Sequence, residues 1–315
     1  MARPPPPLKT TPPTDPPRAI LTRGFLAVVG GAVCIGFAPI FVRLSEVGPV
    51  STAFWRMTLS LPLIFFLLAA NRQISSTSTP TPTPSTEPPA PANWWPMAVA
   101  GLFFAADLAI WHLALHFTSV ANSTLLSNFA PVFVVLFGWL MFGQRVSHRF
   151  LLAMTVALAG TCLLVGRDFH LDRRAMFGDG LSLVTAFFYG GYQLAIKSLR
   201  GRHGTLVIMA RSGVIAALAL LPVALWSGER FWPQTPRAWL VLGGLALIVH
   251  AGGQGLIAYG IGRLPAAVAS VSLLVQPLTA ALAAALLLHE PVAAWQAVGV
   301  ALVLAGVFVA RQEGR

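Results

Sequence analysis

Two residues that can carry charge, Asp107 and His250, lie deep inside long apolar stretches of the chain. A carboxylate accepts hydrogen bonds and pairs with cations, and an imidazole titrates close to neutral pH and can therefore exchange protons. Ionised side chains cost about 3 kcal/mol or more each in hydrocarbon, so both residues are predicted to be functional. A purely structural interpretation stays open, in which the two side chains pair between helices and contact no ligand.

Polar and aromatic residues recur with a spacing of four around these positions. Trp111 follows Asp107 by four residues and Gln254 follows His250 by four, so each pair shares one face of a helix. Several such faces at one depth would line a cavity, although polar side chains in membrane bundles often only bond neighbouring helices. The predicted substrate-binding residues are Asp107, Trp111, Asn128, Tyr189, Gln193, His250, Gln254, Tyr259 and Gln276.

Arg56 and Arg211 stand near the starts of two related apolar stretches and are predicted as gate residues. The alternative is that both side chains extend to the membrane surface. His112 and His116 have a spacing that suits a metal, but no third ligand is near in sequence, so we predict no metal and no cofactor. The sequence contains no GxxxxGK[ST], GxSxG or HExxH pattern, which argues against an ATP-driven pump and against common hydrolases.

The elements that position these residues are predicted to be membrane-spanning helices. The 315 residues are 56% hydrophobic and 10% charged, with a mean hydropathy of +0.73, whereas soluble domains are roughly 25% charged. At about 20 residues for each span, the chain is predicted to be an all-α integral membrane protein with about ten transmembrane helices. The net charge of +11 does not indicate a nucleic-acid partner, because the basic residues form no run or stripe.

An internal repeat organises these helices. A shift of 146 residues places Ala121 on Ala267, Pro131 on Pro277 and Gly160 on Gly306. Five spans in each half would give the halves opposite orientations, and inverted repeats place a substrate site near the midplane between them. The predicted divisions are a disordered cytoplasmic tail (1–23), a first five-helix repeat (24–166) with a Pro-rich linker (71–93), a joint (167–178) and a second five-helix repeat (179–310).

Lys and Arg residues predict the orientation, because cytoplasmic loops carry an excess of them. If the amino terminus is cytoplasmic, most of these residues fall on the cytoplasmic side, and both termini lie there. The residues Arg167, Arg173 and Arg174 oppose this assignment.

The repeat contains several distinctive motifs: residues 121–126 (Ala-Asn-Ser-Thr-Leu-Leu), Pro131, Gly160, residues 267–277, His289-Glu290-Pro291, Gly299 and Gly306. With these motifs, the repeat resembles the EamA-type transporters of the drug/metabolite transporter superfamily. The resemblance covers the chain from Arg23 to Arg311, and Gln144 departs from it, because the family usually has Glu there.

This resemblance implies a bacterial inner-membrane transporter that exports amino acids or related metabolites, including aromatic amino acids. The expected partners are a small-molecule substrate and membrane lipid. His250 is the candidate residue for proton coupling. Two other classes stay open: a membrane-embedded enzyme acting on a lipid-linked substrate through Asp107 and His250, and a channel. Counterflow of an unmodified solute would distinguish a transporter from both.

Overall fold

The computed structural model describes residues 18–77, 94–165, 172–288 and 294–313, and these residues contain helices and no strand. The first half contains α1 (Arg18–Gly36), α2 (Ala38–Leu44), α3 (Pro49–Thr77), α4 (Trp95–Ala114), α5 (Val120–Ser127), α6 (Ala130–Phe142) and α7 (His148–Val165). The second half contains α8 (Arg173–Arg200), α9 (Thr205–Trp226), α10 (Pro236–Gly244), a π-helical segment (Leu245–Gln254), α11 (Gly255–Ile261), α12 (Ala266–Ser272), α13 (Val275–Leu288) and α14 (Ala294–Glu313).

Eight helical spans in the described residues are long and apolar enough to cross a membrane. Four of them join short helices end to end or through a brief break: α1 with α2, α5 with α6, α10 with the π-helical segment and α11, and α12 with α13. The apolar helix α7 is shorter, and the 28-residue α8 is more polar because its buried face carries hydroxyl, amide and phenol groups. With α7 and α8, the described residues form ten helical spans.

The helix boundaries follow the repeat in the sequence. Shifting the start of α5 at Val120 by 146 residues gives Ala266, where α12 begins, and shifting the start of α7 at His148 gives Ala294, the first described residue of α14. The break between α5 and α6 likewise corresponds to the break between α12 and α13. The fourth and fifth spans of the two halves therefore have the same internal construction, and the protein is an all-α membrane protein of two five-helix repeats.

The halves pack through reciprocal pairs of helices. The first span packs against α11 and the π-helical segment of the eighth, and α8, the sixth span, packs correspondingly against α4, the third. Helices α3 and α9 pack together, as do α7 and α14, and each of these pairs joins equivalent spans. If the two halves are exchanged, each of these helix contacts is therefore replaced by an equivalent contact. With an odd number of spans in each half, the exchange relates halves of opposite orientation.

Glycines allow the closest approach between α7 and α14. A Cβ atom on Gly160 would lie 2.7 Å from the Gly299 carbonyl oxygen, and one on Gly299 would lie 2.7 Å from the Gly160 carbonyl oxygen. Each backbone therefore fills the space that the other residue's side chain would need. Small residues at such contacts are typical of helix packing in membranes, where dispersion forces at close range replace the hydrophobic effect.

The structure moves three boundaries of the predicted divisions. Helix α1 begins at Arg18, so residues 18–23 of the predicted tail are helical, and residues 1–17 lie outside the described residues. Helix α3 continues to Thr77, which takes residues 71–77 from the predicted linker, and helix α8 begins at Arg173, inside the predicted joint. Low hydropathy marked these helix ends as loops, but backbone hydrogen bonding continues past the apolar segment. Residues 78–93, 166–171 and 289–293 also lie outside the described residues.

Candidate functional site

A central cavity of about 90 Å³ lies between the two halves. Its walls come from the first four spans of the first half and from the first, third and fourth spans of the second half. The lining includes eight of the sequence-predicted residues: Arg56, Asp107, Trp111, Asn128, Tyr189, Gln193, Gln254 and Gln276. Side chains far apart in the sequence are thus brought together around one cavity.

Three interrupted helices border this cavity, and proline explains each interruption. Pro39, Pro131 and Pro277 stand near the starts of α2, α6 and α13. Proline has no N–H group to donate to the carbonyl four residues earlier, and its ring crowds that carbonyl, so the preceding helix ends. Irregular backbone at membrane depth is tolerated where it is enclosed by protein or lines a cavity. The breaks therefore place polar backbone beside the polar side chains of the site.

The eighth span is π-helical where it passes the cavity. Its segment Leu245–Gln254 carries both His250 and Gln254 and ends at Gln254, which lines the cavity. The wider π-helical turn is rare and is often found at functional sites.

Two side chains of opposite formal charge line the cavity. Arg56 on α3 is 5% exposed and Asp107 on α4 is 8% exposed, and their side chains interact electrostatically. Each charge would be costly to bury alone, and the attraction between them offsets part of that cost. The Nε atom of Arg56 nevertheless has no hydrogen-bond partner among the described residues. The pair therefore keeps hydrogen-bonding capacity that a ligand can use.

Several amide and hydroxyl groups around the cavity have the same unused capacity. Both amide atoms of Gln193 and of Gln254 are buried without a hydrogen-bond partner in the described part of the chain. The Tyr189 hydroxyl lies near the side chains of Gln254 and Gln276 but forms no hydrogen bond of standard geometry with them. Thr124 Oγ1, Gln276 Nε2 and Ser270 Oγ are also buried and without a partner in the described ranges.

Buried polar groups in native proteins are nearly always satisfied, so a group of unsatisfied ones around one cavity indicates a place for a polar ligand or water. The structural interpretation, in which these side chains only join helices, fits Asn128 better. Its Nδ2 atom donates to Thr124 O at 2.7 Å, within its own span. Ser272 similarly donates to Val268 O and does not line the cavity.

Aromatic rings form a stack along one side of the cavity. Phe104 stacks on Tyr192 with ring centroids 4.5 Å apart, and Tyr192 stacks on Tyr189 at 6.2 Å. On its other side Phe104 stacks on His250 at 5.5 Å. Phe104, Tyr189 and Trp111 line the cavity and offer aromatic surface to a ligand.

The structure places three predicted residues away from the cavity lining. His250 is buried behind Phe104 and does not line the cavity, and the electrostatic partner of Asp107 is Arg56 rather than His250. Tyr259 lies near one end of the bundle under the guanidinium of Arg263, which is 3.4 Å from the centre of its ring. Arg211 is exposed and lines a shallow surface depression with Trp94, so it is not equivalent to the buried Arg56.

The sequence interpretation missed Phe104, Ser127 and Thr185, which also line the cavity. Thr185 precedes Tyr189 by four residues, so the spacing already used for Tyr189 and Gln193 would have found it. Phe104 gives no signal in the sequence, because a phenylalanine in an apolar helix looks the same whether it faces a cavity, a neighbouring helix or lipid. Among the described residues, no group of three His, Cys, Asp or Glu side chains is arranged to hold a metal ion.

Contacts at one end of the bundle join the halves beyond the cavity. We call this the far end: it lies opposite the near end, where α1 begins and α14 ends. The carboxylate of Glu229, between α9 and α10, accepts hydrogen bonds from Val50 N at 2.9 Å and Ser51 N at 3.2 Å, in the first turn of α3. It also contacts His116 Nε2 at 2.7 Å. At about 1.5 Å for each residue, these contacts lie roughly 9 Å from Arg56 along α3.

The sequence matches a known family over most of its length. The profile of the EamA-like transporter family matches residues 22–166 and 176–312. An uncharacterized transporter of Archaeoglobus fulgidus is 26% identical over 280 residues, which cover 87% of this chain and 91% of that protein. The chloramphenicol-sensitive protein RarD of Pseudomonas aeruginosa is 31% identical over 238 residues, covering 72% of this chain and 73% of its own.

Two further similarities are more limited. The pseudopaline exporter CntI of Pseudomonas aeruginosa is 27% identical over 146 residues, which cover 46% of this chain and 50% of that protein. A crystal structure with 19% sequence identity aligns with a TM-score of 0.71 and covers 93% of this chain and 98% of its own. This last likeness concerns the fold alone.

Proposed function

Because the chain belongs to the EamA-like transporter family, it is a membrane transporter, and we propose that it exports amino acids, including aromatic ones, by alternating access. The observation that carries this proposal is the cavity between the two halves, in which Arg56 and Asp107 present opposite charges beside unsatisfied amides. A zwitterion is the small-molecule class that matches both charges at once.

Each part of an amino acid has a counterpart in the cavity wall. The Arg56 guanidinium can donate two parallel hydrogen bonds to a carboxylate, and Asp107 can accept from an ammonium group. Gln193 and Gln254 supply further donors and acceptors, and Trp111 and Tyr189 supply aromatic surface worth about 0.5–1.5 kcal/mol for each stacked ring. This assignment gives the carboxylate to Arg56 instead of to His250, because His250 does not line the cavity.

The proposed direction is export, and the proposed location is the bacterial inner membrane with both chain ends in the cytoplasm. Relatives that are named as exporters support the direction. The excess of Lys and Arg at the near end, including Arg200, Arg202, Arg263 and Arg311, supports the orientation. The relatives in Archaeoglobus fulgidus and Bacillus subtilis are named as transporters, so the alternative of a membrane-embedded enzyme acting on a lipid-linked substrate has no support beyond Asp107 and His250 themselves.

Counterflow in proteoliposomes tests the proposal. Vesicles loaded with unlabelled phenylalanine should accumulate labelled phenylalanine transiently, and the recovered solute should be chemically unchanged. The methyl ester, which lacks the carboxylate charge, and phenethylamine, which lacks the carboxyl group, should compete at least tenfold more weakly, because loss of one charged hydrogen bond changes affinity by about that factor.

The matched control replaces the exposed arginine: Arg211→Gln should retain counterflow, whereas Arg56→Gln should lose it. Equal competition by phenylalanine, its ester and its amine would contradict a zwitterion site. Covalent change of the solute would identify an enzyme, and conduction without counterflow would identify a channel.

We further propose that His250 takes part in proton coupling, since it stacks on Phe104 in the cavity wall and its Nδ1 atom is buried without a partner in the described residues. His250→Gln should then flatten the pH dependence of counterflow while transport at the optimum continues. An unchanged pH profile in this variant would remove His250 from the mechanism and leave the proposed substrate class intact.

A further inference from the structure

A second cavity, of about 400 Å³ and open to the surface, lies at the near end of the bundle. Three arginines line it, and each comes from a different element: Arg23 from α1, Arg200 from the end of α8, and Arg263 from the turn after α11. The remaining wall consists of Ile20, Tyr259 and Gly262. The cavity thus joins a helix of the first half to two elements of the second.

The positive charges of this cavity are not neutralised by the described residues. Arg200 and Arg263 repel each other, and no Asp or Glu side chain in the described ranges lies within ion-pair distance of any of the three arginines. Like charges placed together without a counter-charge are destabilising, and a bound anion relieves the repulsion. The arrangement therefore favours an anionic ligand.

The guanidinium groups are partly held in place and partly free to donate. One terminal nitrogen of Arg200 donates to His203 O at 2.7 Å, and one of Arg263 donates to Tyr259 O at 2.9 Å. The Arg200 Nε atom is buried and has no hydrogen-bond partner among the described residues. Stacking on the Tyr259 ring fixes the plane of the Arg263 guanidinium. Two oriented guanidinium groups with unused donors are well suited to phosphate oxygens.

The position of the cavity indicates that the phosphate group belongs to a lipid headgroup. It lies where α1 begins and α8 and α11 end, which is the level of the lipid headgroups in a bundle that spans the bilayer. Ile20 is 41% exposed and offers apolar surface beside the arginines. Basic pockets between helices at this level suit anionic headgroups. If these arginines only determined the orientation of the chain in the membrane, they would need to lie on the cytoplasmic side of the bilayer. They would not need to line one cavity together.

We propose that this cavity binds the phosphate group of an anionic phospholipid, which contacts Arg23, Arg200 and Arg263 and so bridges the two halves of the transporter. The expected effect is about fivefold in lipid affinity for each arginine removed, the factor that one basic residue contributes near an anionic surface.

Native mass spectrometry of the full-length protein, purified in detergent with mixed phosphatidylglycerol and phosphatidylcholine, tests this proposal. The wild type should retain phosphatidylglycerol preferentially, and Arg200→Gln/Arg263→Gln should lose the preference by about 25-fold in affinity. Arg145→Gln removes an exposed positive charge from the loop between α6 and α7 and serves as the matched control, which should behave as the wild type.

A second variant changes no charge. A Cβ atom on Gly262 would lie 2.8 Å from Arg200 Nε, at the flexible end of that side chain, so Gly262→Ala should displace the guanidinium and weaken retention of phosphatidylglycerol. Equal retention in wild type, Gly262→Ala and the double variant would overturn the proposal. So would displacement of the lipid by inorganic phosphate at an equal concentration, because the site would then recognise free phosphate and not a headgroup.

Discussion

A buried charge inside a membrane-spanning bundle is stable only when another charge or a ligand compensates it. Arg56 and Asp107 interact electrostatically in the cavity wall and so offset part of each other's burial cost, and they lie on neighbouring helices of the same half. A pair of this kind can serve only the folded structure, or it can also bind substrate. The two roles predict different behaviour when both charges are removed together.

We expect Arg56→Gln and Asp107→Asn each to destabilise the protein by about 3–5 kcal/mol, because each leaves one charge buried and unpaired. The double variant Arg56→Gln/Asp107→Asn should recover most of that stability, since no unpaired charge remains. Transport should be lost in all three. Thermal unfolding in detergent and counterflow in proteoliposomes measure the two properties separately, and recovery of transport in the double variant would show that the pair is only structural.

Replacing a cavity glutamine that has no hydrogen-bond partner among the described residues should raise stability and lower transport, whereas removing both charges of the Arg56–Asp107 pair should restore stability without restoring transport. Gln254→Met removes two buried polar atoms that lack partners among the described residues, so we expect stability to rise by about 1–3 kcal/mol while transport falls. Ser272→Ala is the control, because its hydroxyl bonds its own helix outside the cavity lining, and it should leave transport nearly unchanged. Loss of stability in Gln254→Met would mean that the amide is satisfied by groups of the protein or by permanently bound water.

At the scale of residues, the sequence predicted which residue types line the cavity better than it predicted which side chains contact one another. Depth and four-residue spacing predicted that Asp107, Gln193 and Gln254 line one cavity, and all three line it in the structure, although Gln254 ends a π-helical segment. The same reasoning put Tyr259 and His250 in the site, although neither lines the cavity, and it left open a pairing of Asp107 with His250. Spacing along one helix does not determine the rotation of that helix against its neighbours, and this rotation decides which faces meet.

At the scale of elements, Glu229 joins three segments at the far end. Its carboxylate accepts from the first turn of α3, where the partial positive charge of the helix terminus stabilises it, and it contacts His116 beyond α4. Arg174, at the start of α8, donates to His116 O at 3.0 Å and extends the same connection to α8. We expect an opening of the cavity toward the far end to break these contacts.

We therefore expect Glu229→Ala to open the far end about tenfold more often, the effect of losing a hydrogen bond to a charged group. In a background with Cys34 and Cys162 replaced by Ala, a cysteine at Ser127 in the cavity lining should react faster with a thiol reagent that does not cross the membrane. Glu313→Ala, at the near end, is the control. An unchanged labelling rate in Glu229→Ala would show that this contact does not limit access.

For the whole molecule, the repeat in the sequence predicted the architecture because it is a property of many positions at once. The 146-residue shift anticipated equivalent helix boundaries in the two halves, and Pro131 and Pro277 marked equivalent breaks. The sequence did not specify which helices pack together. That pairing depends on close contacts such as Gly160 with Gly299, and glycines are too frequent in the chain for one pair to be identified in advance.

This close contact gives a prediction for the assembly of the halves. Gly160→Leu should separate α7 from α14 and lower the unfolding temperature, because even a Cβ atom would lie 2.7 Å from the Gly299 carbonyl oxygen. Gly180→Leu on α8 has no atom within 4 Å of the added Cβ and should fold normally. Comparable unfolding temperatures for the two variants would show that the contact tolerates separation.

The reciprocal packing of the halves has a consequence for biosynthesis. Helix α7 leaves the ribosome long before α14, and α1 before α11, so the first half is inserted while its main packing partners are still untranslated. At about 5–20 residues per second, the delay between the end of α7 and the end of α14 is roughly 7–30 s. During that interval the unpartnered faces, including Gly160, are open to lipid, to chaperones and to membrane proteases. Arg56 and Asp107 both lie in the first half, so they can already interact before the second half has been synthesised.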